Sequence, residues 1–344
     1  MEKNKKRTLI ITLGWIISLL FLYLTFKQIN LSELWNTLKS ANYLWVIPNI
    51  IVVMFAMFHR AYRWQIMLDP IKHVNLHDLF ASTMVGFMAN NVLPLRMGEF
   101  VRAYSIGRLG NLSRSASFAT IVLERVFDIF TLLIMLAVIM IFRLLPLNPE
   151  GEHYQNIVYA GYLMLAVSIA LFVLLLFLKI KSQPTLNLFK KLLKPFPAKL
   201  SNIALDMLEK FAAGLSVLGD TKKMISISIH SIILWFVTGI SNYFIFMAFG
   251  LNDLPWTASF VVLIVVTLGI TVPNAPGYVG VYHALVVLAL SFYPTEVSEL
   301  AARGCAIVMH GAQYIVITGV GIYYLLSRHL SLQEAQAEAG EADI

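Results

Sequence analysis

The chain has 344 residues, of which 58% are hydrophobic and only 13% are charged. Soluble domains carry about 25% charged residues, so roughly half of the charge that a water-facing surface needs is missing. This composition excludes an ordinary soluble enzyme and predicts an all-α integral membrane protein. The net charge of +7 alone would suggest nucleic acid as a partner, but the positions of the basic residues along the chain argue against it.

Six apolar stretches come near or exceed the roughly 20 residues that a helix needs to cross a bilayer. The first follows a basic N-terminus and has no small-residue cleavage site after it, so it is a span and not a signal peptide. The sequence therefore predicts about six full spans, at 9–26, 43–58, 118–145, 157–178, 224–251 and 300–326.

Two further apolar regions, 79–106 and 254–292, are each broken near the middle by proline and glycine. Irregular backbone at membrane depth is tolerated only where it lines protein or water. We interpret both regions as re-entrant hairpins, each of which enters and leaves the membrane on the same side.

The distribution of basic residues supports this topology. With both broken regions read as hairpins, most lysines and arginines lie on the side of the N-terminus, including the lysine-rich segment 179–223. Basic residues accumulate in cytoplasmic loops, so both termini are predicted to be cytoplasmic in a bacterial-type inner (plasma) membrane. Arg60 and Arg63 are placed in the cytoplasmic loop after the second span. A full crossing by either hairpin would remove the charge bias.

Three segments lie outside the predicted spans. Residues 31–40 form a short amphipathic stretch that suits the outer surface, and 186–218 alternates lysine with apolar residues. The lysine-rich segment 179–223 is expected to bind anionic lipids of the inner leaflet. The polar, acidic residues 329–344 are predicted to be a disordered tail. Residues 1–328 then form a single polytopic membrane domain.

An internal repeat is centred on Pro94 and Pro273. A glycine follows each proline by four residues (Gly98 and Gly277), and an arginine follows it by 31 or 30 residues (Arg125 and Arg303). The two hairpins enter from opposite sides, so the halves 1–179 and 180–328 are predicted to be an inverted repeat, as in alternating-access transporters. Broken helices aim positive N-terminal ends at the midplane, which suits an anionic group. The alternative is that the hairpins pack together as a plug.

A family resemblance rests on three segments: NNVLPLRMGEFVRAYSIGR at 90–108, SFATIVLERVFD at 117–128 and VPNAPGYVGVYHA at 272–284. Together they resemble the membrane domain of lysylphosphatidylglycerol synthase/flippase proteins, and more closely its stand-alone, flippase-like relatives, over residues 5–328. The resemblance implies a protein that moves a phospholipid or a lipid-linked carrier between leaflets. Full-length members carry a soluble aminoacyltransferase domain, which we do not expect here, and the chain is not expected to be an enzyme.

One stretch departs from the family pattern. Many relatives have PGGxGxxE in the second hairpin, whereas this chain has Pro276, Gly277, Tyr278, Gly280 and His283 at the corresponding places. Histidine stands where the acidic residue is found, and tyrosine replaces a glycine. The substrate and any coupling ion of the wider family therefore do not transfer directly to this chain.

Charged residues within spans are costly unless they are paired or wetted, so each is a candidate for the site. We predict that Arg125 and Arg303, one from each half, flank a central cavity and bind phosphate, because the planar guanidinium group matches phosphate oxygens. Glu99 and Asp128 would tune them. The alternative is a structural ion pair of Arg125 with Glu99 or Asp128.

Other polar residues near the two breaks complete the predicted site. His283 is a candidate proton-coupling group, although a membrane histidine can equally be a hydrogen-bonded packing residue. Asparagines beside the breaks are expected first to satisfy freed backbone groups. The remaining candidate substrate-binding residues are Arg102, Glu124, Pro94, Gly98, Asn91, Pro273, Asn274, Pro276, Gly277 and Gly280.

Motifs of known enzyme classes are absent from the sequence: there is no GxxxxGK[ST] loop, HExxH helix, GxSxG elbow or CxxC pair. We therefore predict no catalytic residue, cofactor or metal site, and no nucleic-acid partner. The expected partner is a membrane lipid, either a phospholipid or a polyprenyl-phosphate-linked carrier, and a homo-oligomer is compatible with the sequence.

The function that the sequence predicts is translocation of a lipid with an anionic or zwitterionic head group. Two alternatives remain open. The chain could be an enzyme of lipid-linked chemistry, or a subunit that presents the lipid to such an enzyme. It could instead transport a small ion.

Overall fold

The computed structural model describes residues 18–27, 30–93, 96–142, 182–192, 219–270 and 275–335, with isolated positions elsewhere. Every regular element in these ranges is helical, which confirms the predicted all-helical class. The predicted span 157–178 lies outside the described residues apart from isolated positions, and of the predicted span 9–26 the structure describes mainly the helical part 18–26.

Ten α-helices make up the described part of the fold. Five of them begin at a side-chain cap, in which an Asn, Ser or Asp oxygen accepts a hydrogen bond from a backbone N–H of the first turn. In chain order the helices are α1 (Leu31–Ser40), α2 (Val46–Leu68, after a 3₁₀ turn at Tyr43–Trp45), α3 (Leu76–Val92), α4 (Gly98–Leu109), α5 (Arg114–Ile141), α6 (Ser182–Leu192), α7 (Thr221–Ala248), α8 (Ala258–Gly269), α9 (Val281–Leu290) and α10 (Glu299–Ser327).

Helix α2 differs from its prediction at its C-terminal end. It continues to Leu68 instead of ending at 58, because Trp64, Met67 and Leu68 are fully buried and extend its apolar face by more than two turns. Arg60 and Arg63 therefore lie inside a helix and are buried. The prediction that these two arginines belong to a cytoplasmic loop was wrong.

Among the described helices, three are long and apolar enough to cross a membrane: Tyr43–Leu68, Thr221–Ala248 and Glu299–Ser327. Helix α5 is also 28 residues long, but it carries Glu124, Arg125 and Asp128 within its length. Since a buried charge in the bilayer is costly, these three side chains must find partners inside the protein.

The two broken regions each form a pair of helices that pack against one another. Helices α3 and α4 are separated by a break at 93–97, and α8 and α9 by a break at 270–280 that includes the 3₁₀ turn Pro276–Tyr278. Helices α4 and α8 have 12 residues each, which corresponds to about 18 Å and is too short to cross the roughly 30 Å core of a bilayer.

Helices α2 and α7 form the most extensive contact between elements and run antiparallel. Asn49, near the start of α2, donates from Nδ2 to the carbonyl of Ser241 near the end of α7, at 2.7 Å. Arg63, near the end of α2, donates from Nη1 to Ser231 Oγ in the first part of α7, also at 2.7 Å. Apolar cores lie on both sides of this pair, one among α7–α10 and one among α2–α5.

The segment after α10 is more ordered than predicted. A helical turn at 332–335 follows α10, and Leu330 and Ala335 are buried against α3 and α4. Glu334 accepts hydrogen bonds from Tyr104 Oη at 2.5 Å and from Arg108 Nη1 at 2.7 Å. The predicted disordered tail 329–344 therefore does not begin at 329. Residues 336–344 lie outside the described part.

Two glycines of α10 allow a matched test of the packing between α3 and α10. A Cβ atom on Gly321 would lie 2.7 Å from the carbonyl oxygen of Met84 and closer still to Met88, whereas one on Gly311 would meet nothing within 4 Å. We expect Gly321→Ala to lower the free energy of unfolding by about 2 kcal/mol through overpacking. Gly311→Ala should leave it unchanged or raise it by up to about 1 kcal/mol, since alanine favours helix.

Thermal unfolding of the purified protein in detergent checks this prediction. Equal unfolding temperatures for Gly321→Ala and Gly311→Ala would contradict the close approach of α3 and α10.

Candidate functional site

Four arginines and two carboxylates converge inside the first half of the chain. Arg60 and Arg63 come from α2, Arg102 from α4, and Arg125 from α5 together with Glu124 and Asp128. We call these six residues the arginine cluster. All of them are buried except Arg125, whose side chain is 31% exposed. Their helical positions are adjacent because α5 packs against α2, α4 and α7.

Glu124 is the centre of the cluster, because all four arginines reach its carboxylate. Its Oε1 accepts hydrogen bonds from Arg60 Nη1 at 3.0 Å, Arg102 Nη1 at 3.1 Å and Arg125 Nη2 at 2.9 Å. Arg63 Nη2 lies 3.5 Å from the same oxygen, at ion-pair distance. Arg102 Nη2 lies 2.9 Å from Oε2, but its angle is not that of a hydrogen bond.

Asp128 joins the same arginines from the next turn of α5. Arg63 Nη2 donates to its Oδ1 at 2.8 Å and Arg60 Nη1 to its Oδ2 at 3.0 Å. Arg125 Nη1 lies 3.4 Å from Oδ2, so the predicted pair of Arg125 with Asp128 is present as one part of a larger network. The indole N–H of Trp235 on α7 also donates to Oδ1, at 2.9 Å.

Aromatic side chains hold the guanidinium groups in place. Arg102 lies over the ring of Trp64 at 3.8 Å, and Trp64 in turn donates its indole N–H to Thr120 at 2.9 Å. Arg60 is placed between Phe87 and Trp235, at 5.3 and 5.4 Å from the two rings. Cation–π contacts of this kind orient arginines without neutralising them.

The cluster carries more positive than negative charge. Four guanidinium groups face two carboxylates, which leaves two positive charges unmatched among these six residues. Several buried nitrogens also have no hydrogen-bond acceptor among the described residues, namely Nε of Arg60, Arg63, Arg102 and Arg125 and Nη2 of Arg102. Unpaired buried charge is strongly unfavourable, so this arrangement suits an additional anion.

Arg125 connects the cluster with the broken segments. It is the most exposed member of the cluster, and Glu99 and Tyr278 are close enough to interact with it electrostatically. Glu99 stands in the first turn of α4 and is half-buried, and Tyr278 belongs to the second break. The cluster therefore faces the region where the two breaks meet.

The two breaks contact each other directly. Arg96, in the first break, donates from Nη1 to the carbonyl of Ile270 at 3.4 Å and lies 5.8 Å from the ring of Tyr278. On the other side, Tyr314 Oη lies 3.5 Å from the carbonyl of Asn91. Residues from both halves of the chain thus line one irregular region.

The second break depends on two glycines in backbone conformations that other residues rarely adopt. Gly277 and Gly280 have φ angles of +69° and +86°. His310 of α10 lies with Nε2 2.7 Å from the carbonyl of Gly277. The backbone N–H of Gly280 donates to His283 Nδ1 at 3.3 Å, so His283 accepts a bond that caps the start of α9. This hydrogen bond is of the kind that the packing alternative requires, and proton coupling by His283 stays a prediction.

Asn91 and Gly98 also have structural contacts at the first break. The backbone N–H of Gly98 donates to Asn90 Oδ1 at 2.7 Å, and Asn91 Nδ2 donates to Thr318 Oγ1 at 2.8 Å. Pro276 begins the 3₁₀ turn of the second break. The other predicted members near the breaks, Pro94, Pro273 and Asn274, lie outside the described residues.

Arg303 has partners other than those of Arg125. Its Nε donates to the carbonyl of Thr25 at 2.6 Å, and its Nη1 lies 2.9 Å from Glu299 Oε2. These contacts tie the start of α10 to the helical segment 18–26. Among the described residues, no hydrogen bond or ion pair joins Arg303 to the arginine cluster, so the structure does not pair the two predicted arginines across one cavity.

Arg60, Arg63 and Trp235 are the members of the site that the sequence analysis missed. The signal for the two arginines was present, because the apolar residues Trp64, Met67 and Leu68 follow them at helical spacing. Trp235 gave no comparable signal, since a tryptophan inside an apolar span is normally interpreted as a packing residue. Among the described residues, no group of three or more His, Cys, Asp or Glu side chains could hold a metal ion.

Comparisons with known proteins agree with this architecture. A family model described as the lysylphosphatidylglycerol synthase TM region matches residues 11–321. The Glycosyltransferase AglD of Haloferax volcanii is 23% identical over 357 residues, which cover 97% of this chain and 57% of that protein. A UPF0104 membrane protein of Methanothermobacter thermautotrophicus is 23% identical over 301 residues, covering 84% of this chain and 87% of that protein.

Another UPF0104 membrane protein, from Methanocaldococcus jannaschii, is 26% identical over 256 residues, which cover 72% of this chain and 98% of that protein. The chain therefore spans little more than half the length of the glycosyltransferase and nearly all of this shorter relative. No solved structure matches the chain.

The central position of Glu124 leads to a stability prediction. Glu124→Gln would leave four arginines, three of them buried, with one carboxylate, and breaking a buried ion network costs about 3–5 kcal/mol. Glu299→Gln is the control, because its carboxylate is 84% exposed and an ion pair at such a site contributes about 1 kcal/mol or less.

We expect Glu124→Gln to reduce the yield of folded protein and to lower its unfolding temperature in detergent, while Glu299→Gln behaves as the wild type does. A Glu124→Gln protein as stable as the wild type would show that Glu124 is not the centre of the network.

Proposed function

The chain belongs to the family of the lysylphosphatidylglycerol synthase transmembrane region, and from that premise we propose that it translocates a membrane lipid with an anionic or zwitterionic head group. The observation that carries this proposal is the arginine cluster, with its two unmatched positive charges and its buried N–H groups without acceptors. Arginine binds phosphate oxygens in a bidentate geometry, and phosphate is the anionic group that membrane lipids share.

The contacts between helices support an internal repeat. Helix α2 packs on α3 as α7 packs on α8, and α3 packs on α4 as α8 packs on α9. Helix α4 packs on α5 as α9 packs on α10, and α2 contacts α10 as α7 contacts α5. Exchanging α2–α5 for α7–α10 therefore reproduces the pattern of contacts, as expected of two halves with the same fold.

The directions of the helices support the inverted form of this repeat. Helices α2 and α7 occupy equivalent places in the two halves, and they run antiparallel. Two equivalent halves whose equivalent helices are antiparallel have opposite orientations in the membrane. Inverted halves with broken helices at their interface are typical of alternating-access transporters.

In the proposed mechanism the two helical hairpins are re-entrant and meet at membrane depth. The lipid phosphate binds the arginine cluster through Arg125, which faces the junction of the breaks. The acyl chains stay in the bilayer while the head group passes along the polar groups of both breaks. Movement of one half against the other then exposes the site to the second leaflet.

The positive-inside bias supports placing both termini on the cytoplasmic side of the plasma membrane. This orientation places the first hairpin and the nearby cluster in the half of the protein that faces the inner leaflet. The lysine-rich segment 179–223 would then lie beside anionic head groups and concentrate them near the site.

A second candidate function is favoured by one comparison. Because the Glycosyltransferase AglD of Haloferax volcanii aligns with nearly the whole of this chain, the membrane region could present a lipid-linked substrate to an enzyme or take part in its chemistry. The two candidates differ in outcome: translocation leaves the lipid chemically unchanged, whereas a transferase role yields a modified lipid.

Lipid movement in proteoliposomes tests the proposal. Fluorescent phospholipids and a fluorescent polyprenyl phosphate would be reconstituted with the wild type, and their transfer between leaflets would be followed by quenching from outside. We expect movement of at least one lipid class above that of empty vesicles, and a loss of about tenfold or more for Arg125→Gln, because the exposed edge of the cluster then lacks its charge.

The control is Arg303→Gln at equal folded yield. Its guanidinium group already has Glu299 and the carbonyl of Thr25 as partners, so its loss should change transport less than twofold. Equal losses in both variants would support the site that the sequence predicted between Arg125 and Arg303. Wild-type vesicles that match empty vesicles for every lipid would contradict translocation.

A further inference from the structure

We infer that the arginine cluster selects a dianionic phosphate, the form found in a phosphomonoester or at the end of a pyrophosphate, over the monoanionic phosphate of a diester. This inference rests on the proposed function and narrows its substrate class. It distinguishes lipids whose phosphate is terminal from ordinary phospholipids whose phosphate lies between the glycerol and a second group.

The first argument is the charge of the site. The four arginines and two carboxylates leave two positive charges, and a dianion balances two whereas a diester balances one. Glu99 is half-buried and interacts with Arg125 at longer range, but it makes no ion pair with a cluster arginine at 4.0 Å or less, so the groups in direct contact keep an excess of two positive charges. His59 and His230, which lie near Arg63, can only add positive charge.

The second argument is the number and spread of the donors without an acceptor. Nε atoms from four different arginines remain without an acceptor among the described residues, whereas Nη2 of Arg102 is already in an ion pair with Glu124 Oε2 at 2.9 Å. A phosphate that is bonded through one ester oxygen presents three terminal oxygens, whereas a diester presents two. More terminal oxygens allow more of these donors to be satisfied by a single ligand.

The third argument is that the donors cannot easily find other partners. Trp64 fixes Arg102, Phe87 and Trp235 flank Arg60, and Glu124 and Asp128 hold the inner Nη atoms of all four arginines. A preorganised set of donors does not have to reorganise when the anion arrives, which favours the ligand with the most charge.

Two lipids that differ by a single methyl ester provide the sharpest test. Dioleoyl phosphatidic acid carries a terminal phosphate, and dioleoyl phosphatidylmethanol carries the same phosphate as a diester. Binding of each to the purified wild-type protein in detergent would be measured by native mass spectrometry, with inorganic phosphate as a third probe. This measurement requires no lipid movement, so it is independent of whether the transport assay succeeds.

We expect phosphatidic acid to bind at least about tenfold more tightly than phosphatidylmethanol at pH 7.5, the ratio that one additional charge-assisted hydrogen bond would give. The second proton of a phosphomonoester dissociates near pH 6, so raising the pH from 5.5 to 7.5 increases the dianion and should strengthen this binding. Binding of the diester should not change over the same interval.

Two variants separate the cluster from the rest of the protein. Arg102→Gln should abolish the preference for phosphatidic acid, and Arg303→Gln should retain it. If the two lipids bind equally, or if their difference persists in Arg102→Gln, the inference is wrong. Inorganic phosphate that binds as tightly as phosphatidic acid would overturn the lipid as the source of the phosphate.

Discussion

Four arginines share one buried carboxylate, and the rest of the structure is arranged around that interaction. Glu124 attracts Arg60 and Arg63 from α2, Arg102 from α4 and its own neighbour Arg125, so that it fixes three helices relative to one another. Charges within a membrane protein persist only when they are paired. The pairing here is incomplete on the negative side, and this imbalance is the basis for proposing that a structural junction also binds an anion.

The sequence was sufficient for the helical class, for most helix positions and for the two breaks, because apolar length and the Pro and Gly punctuation are local signals. It was insufficient for the composition of the site. Arg60 and Arg63 were assigned to a loop because a basic pair after an apolar run normally marks the cytoplasmic end of a span. Their burial depends on carboxylates more than 60 positions away along the chain.

The site also differs from its prediction in symmetry. The nearly equal spacing of Arg125 and Arg303 from their prolines suggested one phosphate contact from each half. In the structure the charged residues gather in the first half, while the second half contributes Trp235 and Ser231 as neutral partners. The two prolines on which the repeat is centred, Pro94 and Pro273, are 179 residues apart. The positions 179 residues after Arg60, Arg63 and Arg102 are occupied by Gly239, Asn242 and Val281. In the proposed repeat, the charged site therefore belongs to one half only.

We propose that a lipid phosphate occupies the arginine cluster, and an electron cryo-microscopy map of the protein in lipid nanodiscs with added phosphatidic acid would show it. We expect density for a phosphate group in contact with Arg125 and Arg102, continuous with acyl-chain density that reaches the bilayer. A map that resolves these side chains around an empty cluster, with head-group density elsewhere in the protein, would contradict it.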